Sequence, residues 1–130
     1  MEPEELVAVY EWVDSMKLSR PKSKNFARDF SDGVLIAEVV QHYIPKLIDM
    51  HNYIASNNSA QKRANWECLA SKVFKRLKLR LSNEELGALI ECKPQHAERL
   101  LQTLQTKLEK AGKAGTGVKM PPSGREVVGG

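Results

Sequence analysis

Ala27-Arg28-Asp29-Phe30-Ser31-Asp32-Gly33-Val34-Leu35-Ile36-Ala37-Glu38-Val39-Val40-Gln41-His42-Tyr43-Ile44-Pro45 reads as a helix start, an apolar helix body and a helix stop in one run. Ser31 offers a hydroxyl to cap the first turn, Asp32 sets a negative charge at the positive end of the helix dipole, and Phe30 can staple onto Leu35. Leu35, Ile36, Val39, Val40 and Tyr43 then recur at three- and four-residue steps, leaving Glu38 and Gln41 to solvent until Pro45 ends the helix. An apolar face this broad predicts contacts on more than one side. Gly33, read as part of the first turn, would cost helix stability there, which predicts close approach by another backbone.

Working outward, the remaining segments read as helices packed around this one. Pro3 opens a helix to about Met16, with acids in its first turn and a stripe of Leu6, Val9, Tyr10, Val13 and Met16. Trp12 lies beside that stripe and is read as core, with an exposed aromatic contact as the alternative. Lys17 to Asn25 is polar and broken by Pro21, hence a loop, and a basic one. After Pro45, residues 46–54 are apolar without a sustained period, as expected of an ordered connection over the core with a brief 3₁₀ or strand-like turn. Asn57, Asn58 or Ser59 caps a long helix to about Lys78, with Trp66, Leu69, Ala70, Val73 and Leu77 on one face and Trp66 at the centre of the core. Ser82-Asn83-Glu84-Glu85 matches a capping box, and Leu81 with Leu86 adds a staple to a short helix ending near Glu91. Pro94 opens a last helix with Ala97, Leu100, Leu101, Leu104 and Leu108 as its stripe and Gly112 as its stop. The expectation is an all-α fold with one compact domain over residues 1–111 and a flexible glycine- and proline-containing tail over 112–130.

The chain of 130 residues is long enough to bury a core without staples. It has no apolar run near the roughly 20 residues that span a bilayer, and its acidic start resembles no targeting peptide, so an intracellular, soluble protein with no membrane partner is expected. Cys68 and Cys92 lack CxxC spacing and are expected as reduced thiols. His42, His51 and His96 are far apart, with no HExxH or Cys/His cluster, and Asp32-Gly33 is not a phosphate-cradling loop. Neither an enzyme nor a metal or cofactor site is expected.

Net charge is +4 with a pI near 9.1, and its distribution says more than its total. Residues 1–15 carry only acids and residues 16–28 only bases, while residues 61–81 carry seven bases against the single acid Glu67. Lys72, Lys75, Arg76 and Lys78 lie where a helix C-terminus favours cations in any case. Lys62 and Arg63 lie near a helix start, where the dipole disfavours them by about 0.3–1 kcal/mol each, so a duty beyond local stability is expected of them. Nucleic-acid binding would use such charge, but no RNP-like, KH-like or zinc-finger pattern accompanies it.

Trp12-Val13-Asp14, Leu18-Ser19-Arg20-Pro21-Lys22, Arg28-Asp29-Phe30-Ser31-Asp32-Gly33-Val34-Leu35, Ala37-Glu38-Val39, His51-Asn52-Tyr53 and Asn65-Trp66 together resemble the calponin-homology-type domain of the sperm flagellar protein 1 (CLAMP) family, over roughly residues 5–110. The resemblance implies a calponin-homology-like helical domain, microtubule binding, and residence in the cytoskeleton of flagella and cilia, at the axoneme or basal body. It also implies a coiled coil beyond this domain through which the full-length protein dimerises, this fragment being a monomer. Arg20, Lys22, Arg28 and Lys62 match the family's basic positions. Lys24, Arg63, Lys72, Lys75 and Arg76 are added from charge placement alone. Microtubules present acidic surfaces and disordered glutamate-rich tails, so binding through these residues is expected to weaken with salt. The alternatives are an F-actin-binding domain, as the wider calponin-homology class suggests, or a protein-interaction adaptor.

Overall fold

Gly33 stands before the central helix rather than inside it. The computed structural model describes residues 1–19 and 25–113, and in it the central helix α3 runs Val34–Tyr43 with Gly33 as its N-cap, at φ +79°. Asp32 supplies the cap, its Oδ1 accepting from the Val34 N–H at 3.0 Å. The Ser31 hydroxyl, expected to cap, instead donates back to the Arg28 carbonyl at 2.8 Å. Glycine is required here for its left-handed backbone, and also for space: a Cβ would lie 3.2 Å from Leu69 Cδ1 and 3.4 Å from the Trp66 ring. The close approach read from Gly33 is therefore real, but side chains make it, not another backbone.

From that turn α3 is buried through Val34, Leu35, Ile36, Ala37, Val39 and Val40. Gln41 is exposed, whereas Glu38 is only half-exposed, accepting from the Ser19 backbone N–H at 2.7 Å and from its hydroxyl. The helix ends before Pro45, which begins a 3₁₀ turn, Pro45–Leu47, and a second turn follows at Met50–Asn52. This ordered connection seats Ile44, Ile48 and Tyr53 in the core.

Helix α1, Pro3–Asp14, is closed at its start by Glu5, whose Oε1 accepts from the Glu2 N–H at 2.9 Å. Val9, Val13 and, just past the helix, Met16 are buried, while Tyr10 stays exposed along one side. Trp12 is half-buried against the core and donates its Nε1–H to the Tyr43 hydroxyl at 2.7 Å. A one-turn helix α2, Phe26–Asp29, which hydrophobic periodicity did not reveal, is capped by Asn25, whose Oδ1 accepts from the Arg28 N–H at 3.0 Å. Periods need two turns to be read; a single turn carries only its cap.

The long helix has three parts: α4, Ser59–Leu69, a π-helical turn at Ala70–Phe74, and α5, Lys75–Leu77. Asn58 is its cap, accepting from the N–H groups of Ala60 and Gln61. Trp66, Leu69, Val73 and Leu77 are buried as expected, but Ala70 is exposed and Phe74 takes a core place beside Trp66. Lys78 closes the helix in the left-handed region, at φ 58°, with the Leu79 N–H donating to the Phe74 carbonyl at 2.9 Å.

Helix α6, Asn83–Ile90, starts in the expected capping box, with Ser82 Oγ accepting from the Glu85 N–H and Glu85 Oε1 accepting from the Ser82 N–H. Cys92, also left-handed at φ 61°, ends it, with the Lys93 N–H donating to the Ala88 carbonyl. The last helix α7, His96–Lys113, starts two residues after Pro94, because Gln95 turns to φ 68°. It runs through Gly112 rather than stopping there. A glycine costs a helix about 1 kcal/mol but does not by itself end one. Ala97, Leu100, Leu101, Leu104 and Leu108 are all buried, and α7 packs against α1, α2, α3, α5 and α6. It shares with α3 the role of core that α3 was expected to fill alone. The described residues form an all-α fold without strands. The tail expected over 112–130 lies, from residue 114 on, outside the described residues.

Candidate functional site

Of the nine basic residues singled out from sequence, Arg20, Lys22 and Lys24 lie outside the described residues. The other six divide sharply. Lys62 is 7% exposed and its ammonium donates to the Ile90 carbonyl at 3.3 Å. Ile90 ends α6, so this carbonyl is among those left unpaired at a helix C-terminus, the place where the dipole favours a cation. The structure thus places the Lys62 ammonium inside the fold rather than on the exposed face: its charge opposes the dipole of its own helix and complements that of another.

Arg63, the next residue, is exposed, as are Lys72, Lys75 and Arg76. Among the described residues none of these four side chains makes a hydrogen bond or an ion pair. From Arg63 to Arg76 is about 20 Å along a helix rising 1.5 Å per residue. The structure therefore brings four unpaired cations onto one rod.

The π turn decides which residues of that rod reach solvent. On an ideal helix with Trp66 at zero, 100° per residue would put Arg76 at about 280°, between Asn65 at about 260° and Leu69 at about 300°. Both are fully buried. The same count would put Phe74 at about 80°, outside Arg63 at about 60°. A π turn advances less than 100° per residue, so it swings Phe74 back into the core and Arg76 out to solvent. Strict α-helical phasing explains both the misplacement of Ala70 and the omission of Phe74. The available signal was Phe74 itself, a large apolar side chain standing off the expected stripe.

Arg28 occupies different surroundings. It is exposed and lines a polar groove together with Asp29, Asp32, Ala55, Ser56 and Asn57. Two carboxylates beside one guanidinium make this neighbourhood mixed in charge, unlike the row on α4 and α5.

Most of the sequence signature is occupied in holding the fold. Asn65 is fully buried; its amide donates to the carbonyls of Asp32 and Ile54, both at 2.8 Å, and its Oδ1 accepts from the Ile54 N–H at 3.2 Å and from Gln61 Nε2 at 2.9 Å. Trp66 donates its Nε1–H to the Ser31 carbonyl at 2.8 Å. Asp32 Oδ2 accepts from the Ser56 N–H at 3.1 Å. Asn65-Trp66 and Ser31-Asp32-Gly33 are thus two halves of one clamp.

Two shifted phenols lie elsewhere. Burial, and then the bond that Tyr10 donates to Glu98 Oε2 at 2.6 Å, push the Tyr10 hydroxyl up to about 12. Burial and neighbouring Cys68 raise Tyr53 further. Among the described residues no three His, Cys, Asp or Glu side chains converge to hold a metal, and no helix is long and apolar enough to cross a membrane.

Residues 9–106 match the family described as the CH-like domain in sperm protein. Sperm flagellar protein 1 of Xenopus laevis is 45% identical over 106 residues, covering 82% of this chain and 46% of that protein. The human protein of the same name is 44% identical over 109 residues, covering 84% of this chain and 46% of its own length, and the mouse protein 41% over the same span and shares. The chain spans about half the length of the curated relatives it matches.

Proposed function

We propose, from the premise that this chain belongs to the family of CH-like domains in sperm proteins, that it is the microtubule-binding module of a flagellar or ciliary cytoskeletal protein. The flagellar part rests on the names of its relatives. The observation that carries the microtubule part is the set of four cations Arg63, Lys72, Lys75 and Arg76, exposed and unpaired among the described residues along one helical rod. A long-chain cation loses rotamer freedom when it is ordered, so a row of them gives little stability to the free domain and is available to an acidic lattice. Arg28 adds a contact at the polar groove, and Arg20, Lys22 and Lys24, the basic residues that precede it in the sequence, are kept in the proposed set. Lys62 drops out of the binding set. Attraction of this kind is screened, so affinity falls as salt rises past the point where the Debye length nears 8 Å.

The test is co-sedimentation of the domain with microtubules and, in parallel, with F-actin, at two salt concentrations. Reversing Lys75 and Arg76 together to glutamate is expected to lower microtubule affinity at least about tenfold, or about 1.4 kcal/mol, with the thermal melt unmoved. Equal binding to F-actin, or an unchanged affinity in the double variant, overturns the reading.

A further inference from the structure

On the far side of α5, where the chain turns into α6, a groove of about 170 Å³ opens against α7. Leu79, Leu89 and Leu100 line it and are almost wholly buried, so its floor is apolar. Arg80 and Arg99 stand exposed among its lining residues, with His96 beside them. Neither guanidinium makes a hydrogen bond or an ion pair among the described residues. Glu85 also borders the groove, but its Oε1 is already engaged by the Ser82 N–H at 2.9 Å. The site therefore combines an apolar slot with two unclaimed planar cations.

Each part selects a chemistry. An apolar cavity of about 150 Å³ can hold a benzene ring, so the floor suits one aromatic or large aliphatic side chain. A guanidinium recognises a carboxylate through two parallel hydrogen bonds, a fit that lysine cannot make. A second copy of this chain offering an apolar face would leave both arginines unmatched. A nucleic-acid backbone would leave the leucine floor unfilled. We propose that this groove docks an extended glutamate-rich peptide by one apolar anchor, with Arg80 and Arg99 pairing carboxylates that flank the anchor. The source of that peptide rests on the microtubule reading: it is a disordered acidic tail projecting from the lattice, gripped separately from the surface that the α4–α5 row meets. The peptide chemistry itself rests on the groove alone.

The probe is a synthetic peptide of ten glutamates with one central phenylalanine, titrated into the isotopically labelled domain. Methyl signals of Leu79, Leu89 and Leu100 are expected to shift. Replacing the phenylalanine by alanine, or the glutamates by glutamines, is expected to weaken binding at least tenfold. Arg80→Glu with Arg99→Glu should do the same, and Arg80→Gln with Arg99→Gln, which keeps both stems, carries the same expectation should the first pair fail to fold. On microtubules either pair should weaken binding to intact lattices and leave binding to protease-trimmed lattices, which lack the tails, unchanged. A peptide that shifts signals around Lys72 to Arg76 in place of the leucines, or an alanine version that binds as well, overturns the groove. Peptide binding in the groove by a domain that ignores microtubules overturns the tail as its source, and with it the microtubule reading. Microtubule binding indifferent to both arginine pairs overturns only the groove's part in it.

Discussion

In the first turns of α4 the polar residues Lys62 and Asn65 face inward, and each finds carbonyl partners supplied by another element of the fold. Further along the same rod Lys72, Lys75 and Arg76 face outward and find none among the described residues. Both regions carry polar side chains on one rod; the difference that matters is whether the folded chain has already satisfied the group. A buried, bonded polar group belongs to stability, because removing it leaves its partners unpaired in a dry interior. An exposed, unbonded one contributes little to stability and is available to a partner. The contrast can be broken or sharpened by changing one region at a time.

The largest effect is expected from Trp66→Ala, which empties the packing against Gly33 and Phe74 and leaves the Ser31 carbonyl unpaired. Chemical denaturation should show a loss of about 3–5 kcal/mol. A variant as stable as wild type would remove the clamp from the inward region altogether. Asn65→Ala follows, since it strands the Asp32 carbonyl and both backbone groups of Ile54. About 2–3 kcal/mol of lost stability is expected by the same measurement, part of the bonding being recoverable by water.

Lys62→Met sets the two regions side by side. It keeps the stem buried and deletes the bond to Ile90, so stability should drop by about 1 kcal/mol while microtubule affinity, measured on folded protein, stays the same. An affinity loss per charge as large as that of Lys75 and Arg76 would return Lys62 to the binding surface and erase the distinction.

The smallest effect concerns a side chain that lies between the two cases, exposed along one side yet hydrogen-bonded through its hydroxyl. The Tyr10 hydroxyl is held up to about 12, against an ordinary 10, by burial and by its bond to Glu98. The folded chain thus keeps this proton when the unfolded chain releases it, so the stabilisation is complete below pH about 10 and disappears as pH rises through about 12. The gap in melting temperature between wild type and Tyr10→Phe should therefore narrow across that window. A constant gap would mean that the bond does not distinguish the ionised from the neutral phenol.

What could be read in advance was whatever repeats or caps locally. The apolar steps of α3 and α7, the Asn58 cap and the capping box at Ser82 each depend on residues within a turn or two of one another. The helix start differs by two positions from the reading at Ser31, because the Asp32 carboxylate takes the Val34 N–H while the Ser31 hydroxyl turns back to the Arg28 carbonyl. Nothing near Lys62 in the chain announces Ile90, 28 residues away. The π turn was invisible for a related reason: its cause is the demand of the surrounding core for Phe74, not a preference of Ala70 to Phe74 for that conformation. Of the binding surface, the cations were legible as residue types, whereas their division into engaged and available groups required the tertiary contacts.

The clamp at the head of α3 also has a consequence for the order of assembly. Beside its local bonds, the Ser31-Asp32-Gly33 turn is held by long-range bonds from Ser56, Asn65 and Trp66, 24 to 35 residues downstream. Closing a loop of that size costs entropy before any contact repays it, and the left-handed glycine gives the turn no local preference strong enough to form ahead of them. The head of α3 is consequently a late-setting joint: its last turn can coil as soon as the chain emerges, but its first turn waits for α4 to arrive. In hydrogen exchange, the amide of Val34 should open together with those of α4 rather than with the rest of its own helix.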